Sequence, residues 1–481
     1  RLYLHRYHAY EARLAAALRA RAGAVPAVDE ARLEAEVGRL FPGVGEDDRQ
    51  RAAAVGAARS LLSIVVGGPG TGKTTTVVRL LALCQSLAAS PGALRVALLA
   101  PTGKAAARLE ESVHAAAREL DVDDAVRRGL VARASTIHRA LGFRPGDRAS
   151  FAHDAANPLP VDLVVVDEAS MVDLPLMAKL VDAVPPHARL VLLGDRRQLA
   201  SVEVGAVLAD LCAAADAGGP LADRVVELVK VYRYDESSGV GRLAAAVRTG
   251  DPDAVRGVLA VEHDDLTLVP IDAGSTARSA LDDRLLSGFG GYLAATSAAD
   301  RLARLDDHRV LTAHRRGRLG VGAWNDAIRE RLVDRGTLAR TSDDWYDRRP
   351  VLVTRNDASL GLSNGDVGVC LEERTEEGRR TWRVAVRGRE GEVRILPAAR
   401  IPAPETVFAM TVHKSQGSEF DHVCLVVPPR ESPILTRELL YTGLTRARRR
   451  LTLLADPEIL ARAVERRIRR ASGLVARLSS D

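Results

Sequence analysis

Residues 67–76 read Gly-Gly-Pro-Gly-Thr-Gly-Lys-Thr-Thr-Thr, directly after the apolar run Leu61 to Val66. A glycine-rich turn between a buried strand and a helix lets backbone N–H groups close around phosphate oxygens, and the helix N-terminus adds positive potential. The stretch Gly67, Gly68, Pro69, Gly70, Thr71, Gly72, Lys73, Thr74 and Thr75 is therefore a candidate nucleotide loop. Lys73 is placed to reach the β- and γ-phosphates, and the Thr74 hydroxyl to ligate Mg²⁺. The strand before it and a helix expected over Thr75 to Ala89 supply the context such a loop requires. The chain is expected to use a nucleoside triphosphate.

A length of 481 residues suggests about three domains, each able to bury a core. With 47% hydrophobic and 27% charged residues, the composition is that of a globular protein, and no apolar run approaches a bilayer span. The chain begins at Arg1, so a stretch upstream is expected to be absent, and residues 1–25 do not resemble a signal peptide. Four scattered cysteines (84, 212, 370 and 424) form no C-x-x-C pair and suggest reduced thiols in a cytoplasmic protein. No His/Cys cluster has metal-ligand spacing, so Mg²⁺ at the nucleotide is the expected metal. A net charge of +5 permits nucleic-acid binding without establishing it. Lysine usage says more. Only five of the 68 basic residues are lysine, and Lys73, Lys104 and Lys414 all fall in candidate motifs. A retained lysine suggests a site that needs a compact ammonium.

Residues 1–40 have helical spacing with a break at Ala24-Val25-Pro26. From 45 to 245, short β-branched runs (61–66, 95–100, 163–167, 189–194, 225–229) alternate with helical patterns. Strands apolar on both faces predict a buried parallel sheet, the α/β class. Residues 246–305 read as a mostly helical connector. A second α/β unit is expected over 306–344 and 403–481, interrupted at 345–402 by short strands with Asn-Gly, Glu-Gly and Gly-Arg turns, expected to form a small inserted β-barrel. The second unit has His314-Arg-Arg-Gly-Arg-Leu-Gly320 after its first strand and no phosphate loop. One nucleotide loop for two similar units predicts a site between them, with the second unit supplying sensing residues.

Leu163-Val-Val-Val-Asp167-Glu168 is an apolar strand ending in two carboxylates. Hydrolysis at a Mg²⁺-nucleotide needs one carboxylate near the metal, here Asp167, and one to orient or deprotonate the attacking water, here Glu168. A further strand ends in Gly194-Asp195-Arg-Arg-Gln198, and strand C-termini on one sheet edge converge on the ligand, which turns Asp195 and Gln198 toward the γ-phosphate.

With these come Ala100-Pro-Thr-Gly-Lys-Ala-Ala-Ala-Arg-Leu109, Thr136-Ile-His-Arg-Ala-Leu-Gly142, Val166-Asp-Glu-Ala-Ser-Met-Val-Asp173, Asn364-Gly-Asp-Val-Gly368, Thr411-Val-His-Lys-Ser-Gln-Gly-Ser-Glu-Phe420 and Leu440-Tyr-Thr-Gly-Leu-Thr-Arg-Ala-Arg448. The series resembles the superfamily 1 helicases, and its wording is similar to that of the RecD family, the alpha chain of exodeoxyribonuclease V, over roughly residues 45–460. The resemblance implies two tandem RecA-like motor domains. It also implies that Gln50 reads adenine, that Arg233 and Arg446 reach the γ-phosphate, and that Gly417 and Glu419 touch the nucleotide from the second unit. For DNA it implies Pro101, Thr102 and Lys104, Thr136 and His138, Asn364, Gly365 and Asp366, and Thr411, His413, Lys414 and Ser415. Trp324 and Tyr441 are expected to pack in the core rather than stack on bases.

The resemblance further implies an ATP-dependent 5′-to-3′ translocase on single-stranded DNA. The chain would be a subunit of a RecBCD-type helicase–nuclease with RecB-like and RecC-like partners, acting at DNA ends in double-strand break repair and recombination. No membrane partner is implied, and no nuclease constellation stands outside the ATP site. Residues 1–44 resemble the end of a partner-binding N-terminal domain. The alternatives are a stand-alone RecD-like helicase, the helicase part of a relaxase, or a nucleotide-switched assembly subunit that does no motor work.

Overall fold

The computed structural model describes residues 4–43, 45, 48–143, 151–201, 203–232, 237–341, 343–357, 359–388, 391–468, 470 and 472–479. These divide into two compact units, the first built from 1–233 with 469–481 and the second from 234–468.

In the first unit, β1 (Leu62–Gly67), β2 (Val96–Ala100), β3 (Ala134–Thr136), β4 (Leu163–Val166), β5 (Arg189–Gly194) and β6 (Val225–Leu228) form one parallel sheet in the order β3-β2-β4-β5-β1-β6. Parallel strands joined by crossovers need helices on both faces, and the continuous apolar runs show the consequence. Ile64, Val66, Val164 and Leu192 point into one core with the helix α1 (His5–Gly23), while Val65, Val165 and Val191 point into another with α2 (Glu30–Leu40), α3 (Arg49–Arg59) and α4 (Lys73–Leu87). The break expected at Ala24 to Pro26 falls between α1 and α2. Both N-terminal helices thus pack on the first unit.

The chain also returns to this unit at its C-terminal end. Leu474 and Leu478 of the helix Leu474–Ser479 are buried in the core with α1. Buried Glu11 of α1 accepts the backbone N–H of Gly473 at 3.0 Å. This corrects the expectation that residues up to 481 belong to the second unit. The apolar pair 474/478 completes a face that α1 leaves uncovered.

The second unit carries β7 (Leu266–Pro270), β8 (His308–Thr312), then β9 (Pro350–Val353), β10 (Val367–Arg374), β11 (Arg380–Arg387), β12 (Val393–Pro397), β13 (Pro404–Thr406), and finally β14 (Ala409–Thr411), β15 (Phe420–Val426) and β16 (Ala447–Ala455). Five of them form a parallel sheet, β14-β8-β15-β16-β7. Strand β7 falls inside the stretch read as a helical connector. It is a half-exposed edge strand without the doubly apolar signature of the central ones. The inserted element is an antiparallel sheet ordered β12-β11-β10-β9-β13. That order is linear, and among the described residues no pairing joins the edge strands β12 and β13, so the expected closure into a barrel is not confirmed. Trp324 and Tyr441 are buried, as their core assignment requires.

The core of the second unit contains titratable groups. His308 of β8 lies 4.6 Å from the Phe289 ring and 4.5 Å from that of His422, its register partner on β15. Burial holds His308 well below the ordinary histidine pKa of 6.5, and burial with Arg450 nearby holds His422 at about 4. Both rings are therefore neutral in the folded unit and free to protonate once unfolded. Their contribution to stability is complete above pH 6.5 and is lost as pH falls below it. Each loses about 1.4 kcal/mol per pH unit, the His422 share ending near pH 4. Urea unfolding of the second unit should follow that slope from pH 6.5 down to about 5, and His422→Gln should remove about half of it. A pH-independent midpoint would contradict the assignment.

Candidate nucleotide and nucleic-acid site

Because every strand of the first sheet points the same way, all its C-terminal ends open on one edge. The central neighbours β4, β5 and β1 deliver Asp167 and Glu168, Asp195, and the loop Gly67–Gly72, respectively. The loop is shaped by backbone requirements. Gly72 has φ +80, and a Cβ there would lie 2.4 Å from Gln50 Nε2 and 3.6 Å from the ring of Tyr232. Gln50 projects from the first turn of α3, whose cap is Asp48, accepting from Arg51 N at 2.9 Å. The Thr71 hydroxyl donates to Gly68 O (2.9 Å), and Tyr232 N donates to Gly70 O (2.8 Å). Helix α4 begins at Lys73, so Thr74 and Thr75 lie in its first turn, where N–H groups have no intrahelical acceptor. The Lys73 ammonium donates to Gly67 O (2.7 Å) and Gly68 O (2.9 Å), which places it over the loop.

The carboxylates face that ammonium. Desolvation, then the neighbouring Glu168, pushes Asp167 above the usual carboxylate range, with Lys73 and Arg108 offsetting part of the shift. Desolvation also raises Asp195, opposed first by Lys73. Lys73 thus acts on both. Glu168 is not glycine yet sits at φ 52, a left-handed conformation costing about 1 kcal/mol. It turns the chain sharply at the strand end and is followed by the short helical turn Ala169–Met171. Gln198 is buried and donates to Asp195 Oδ2 at 3.3 Å, and its own Oε1 is a buried acceptor with no partner among the described residues.

Next along the same edge stand β2 and β3, paired Ala100 with Thr136. Pro101 follows β2, and Thr102 caps the helix Gly103–Glu119 by accepting from Ala105 N (3.2 Å), with Lys104 in its first turn. Thr136 accepts from Arg139 N (3.3 Å), and His138 lies within 6.2 Å of the Phe143 and Phe151 rings. The candidate nucleotide and DNA residues of this unit therefore share one sheet edge.

In the second unit, Arg446 is buried, donating from Nε to Thr442 O (3.1 Å) and from Nη1 to Ser418 O (3.2 Å). Gly417, at φ 71, and Glu419, whose carbonyl accepts from Arg448 (3.1 Å), flank that contact. Thr411 Oγ1 accepts from Lys414 N (3.2 Å), the Ser415 hydroxyl donates to Val412 O (2.8 Å), and His413 opens the same turn. Asn364, Gly365 and Asp366 form the turn into β10, with Asp366 Oδ2 accepting from Ser363 N (2.7 Å) and Asn364 N donating to Asn356 Oδ1 (2.7 Å). Arg233 lies outside the described residues. Tyr232, 58% exposed beside Gln50 and Gly72, was not singled out from sequence, and its place in Val231-Tyr232-Arg233 was the available signal.

Fold and site define a phosphate-loop nucleoside triphosphatase of the superfamily 1 helicase class, with a second parallel unit. A family model described as an AAA domain matches residues 50–204, and one described as a UvrD-like helicase C-terminal domain matches 406–454. The RecBCD enzyme subunit RecD of Mycolicibacterium smegmatis is 45% identical over 447 residues, covering 92% of this chain and 76% of that protein. The subunit of the same name from Mycobacterium tuberculosis is 42% identical over 489 residues, covering 100% of this chain and 80% of that protein. The ATP-dependent RecD2 DNA helicase of Deinococcus radiodurans is 33% identical over 392 residues, covering 81% of this chain and 46% of that protein. The chain belongs to the RecD family.

Gly72→Ala tests the loop. The new Cβ forces a strained φ and displaces Gln50, at a cost of about 1–2 kcal/mol. Titration with a fluorescent ATP analogue should show affinity about tenfold lower, since 1.4 kcal/mol is one decade.

Proposed function

We propose that this chain is an ATP-hydrolysing DNA helicase, the RecD motor subunit of a RecBCD-type complex. In that role it moves 5′ to 3′ along single-stranded DNA, in the cytoplasm, during double-strand break repair and recombination. The observation that carries the reading is the shared edge of the first sheet. There the hydrolytic set (Lys73, Asp167, Glu168, Asp195, Gln198) stands beside the loops after β2 and β3. Identity of 42–45% to RecD subunits supports the assignment to the complex.

The residues fit ATP with Mg²⁺. The loop N–H groups and Lys73 supply donors and charge for phosphates, and Thr74 with Asp167 supplies the hard oxygen ligands that Mg²⁺ prefers. When bound, the ion neutralises β- and γ-phosphate charge. Gln50 offers its amide, and Tyr232 an aromatic face, to a base lying beside Gly72. Glu168, held by its strained backbone, accepts a proton from the attacking water, and the buried Gln198 Oε1 is an acceptor suited to orienting that water. Arg446, fixed on two carbonyls, is a guanidinium whose position costs little further ordering, suited to the charge that develops on the γ-phosphate. Arg233 is proposed for the same task. Thr102, Lys104, Thr136, His138, Asn364 and Lys414 contact the sugar–phosphate backbone without reading sequence.

ATP turnover with and without an oligonucleotide tests this reading. Lys73→Gln should abolish turnover and unwinding. Glu168→Gln should keep nucleotide binding and lower DNA-stimulated turnover about 10²–10⁴-fold. Nucleotide binding with no DNA-stimulated turnover in the assembled complex would instead favour a switched assembly subunit. On tailed duplexes a 5′ tail should support unwinding, and unwinding only from a 3′ tail would refute the polarity.

A further inference from the structure

The loop joining β8 to the helix Val321–Asp334 is basic and exposed, with Arg315, Arg316 and Arg318 in succession. It has a defined shape. Gly320 N donates to Gly317 O (3.0 Å) and Val321 N to His314 O (3.3 Å). A Cβ on Gly320 would lie 2.6 Å from the Arg316 carbonyl carbon and 2.9 Å from Arg315 O, so the loop doubles back tightly on the backbone that carries Arg315. Strand β14 pairs with β8, Thr411 beside Thr312, so the turn bearing Lys414 emerges next to this loop.

Glu405 stands with them. It lies on β13, the edge of the inserted sheet, opposite Leu352. One carboxylate oxygen accepts from Arg315 Nη2 at 2.8 Å and the other from Lys414 Nζ at 2.8 Å. Two cations on one carboxylate leave a net positive charge, and the Arg315 side chain is 71% exposed. Exposed ion pairs of this kind contribute at most about 1 kcal/mol to stability, so folding gains little from the trio. Its physical effect is to hold two long side chains, one 90 residues from Glu405 in sequence and the other 9, in one orientation.

We propose that Arg315 and Lys414 form a single cradle for a phosphodiester of the DNA strand, and that Glu405 is its positioning residue. The proposal rests on the single-stranded DNA reading above and adds Arg315 and Glu405 to it. The phosphate accepts from the guanidinium and the ammonium on their solvent side. Glu405 keeps the arginine from swinging away and ties the cradle to the inserted sheet.

Binding of a fluorescein-labelled oligothymidylate to the full-length protein, followed by anisotropy over a salt series, tests this. Each phosphate contact on a single strand contributes about 0.7 to the slope of log affinity against log salt. Arg315→Gln should lower the slope by about 0.7, weakening binding about eightfold at about 50 mM salt and about threefold at about 200 mM. Arg315→Lys, which keeps the charge, should restore the slope. In a Glu405→Gln background, Arg315→Gln should cost less than about twofold, because the arginine is no longer held. An unchanged slope in Arg315→Gln overturns the cradle, and equal losses in both backgrounds overturn the role of Glu405. Wild-type protein that fails to bind the oligonucleotide defeats the DNA reading and the cradle together. Firm wild-type binding with an indifferent Arg315→Gln defeats the cradle alone.

Discussion

A parallel strand can be followed by another only through a crossover, so every strand of such a sheet ends at the same edge. In the first unit that constraint gathers residues from 67 to 198 into one row. The phosphate loop, the Asp167–Glu168 pair and Asp195 end three adjacent strands, and Thr102 and Thr136 follow the next two. The row exists because the strands are apolar on both faces and must be covered by helices on both. Ile64 and Val65 point into separate cores, and neither core forms without crossovers.

Electrostatics inside the row are balanced around one ammonium. Lys73 interacts with the carboxylates of Asp167 and Asp195, both raised by burial, and it also donates to two loop carbonyls. A lysine suits this because a compact charge with three donors can be shared among several oxygens, whereas a planar guanidinium commits to one plane. Positive φ angles stand where the chain turns at the ends of β1 and β4, at Gly70, Gly72 and Glu168. The rest of the sheet is regular, and the rigidity of its neighbours maintains those conformations.

The second unit uses the same parallel scheme without a phosphate loop and adds an antiparallel sheet to it. The two sheets are tied by side chains from β13 and its surroundings. Glu405 on β13 accepts from Arg315, in the loop after β8, and from Lys414, in the turn after β14. Thus the loop after β8, the turn after β14 and the inserted sheet meet through a few polar contacts. Arg446 is anchored differently, by backbone carbonyls rather than by a carboxylate that would neutralise it.

Much of the architecture is legible in consecutive residues. Glycines at 67–72 announce a backbone that must close on phosphates, uninterrupted apolar runs announce buried strands, and carboxylates at a strand's last positions announce chemistry at the sheet edge. These signals are local, because conformational preference and the alternation of side chains are properties of neighbouring residues. Strand β7 escapes because an edge strand is apolar on one side only, and the inserted strands disclose turns without disclosing whether the sheet closes. The packing of Leu474 and Leu478 on the first unit, the approach of Tyr232 to Gly72, and the meeting of Arg315, Glu405 and Lys414 were decided by tertiary structure alone. Each joins segments far apart in the chain. Which segments meet depends on strand order and crossover path, which no single stretch of sequence encodes.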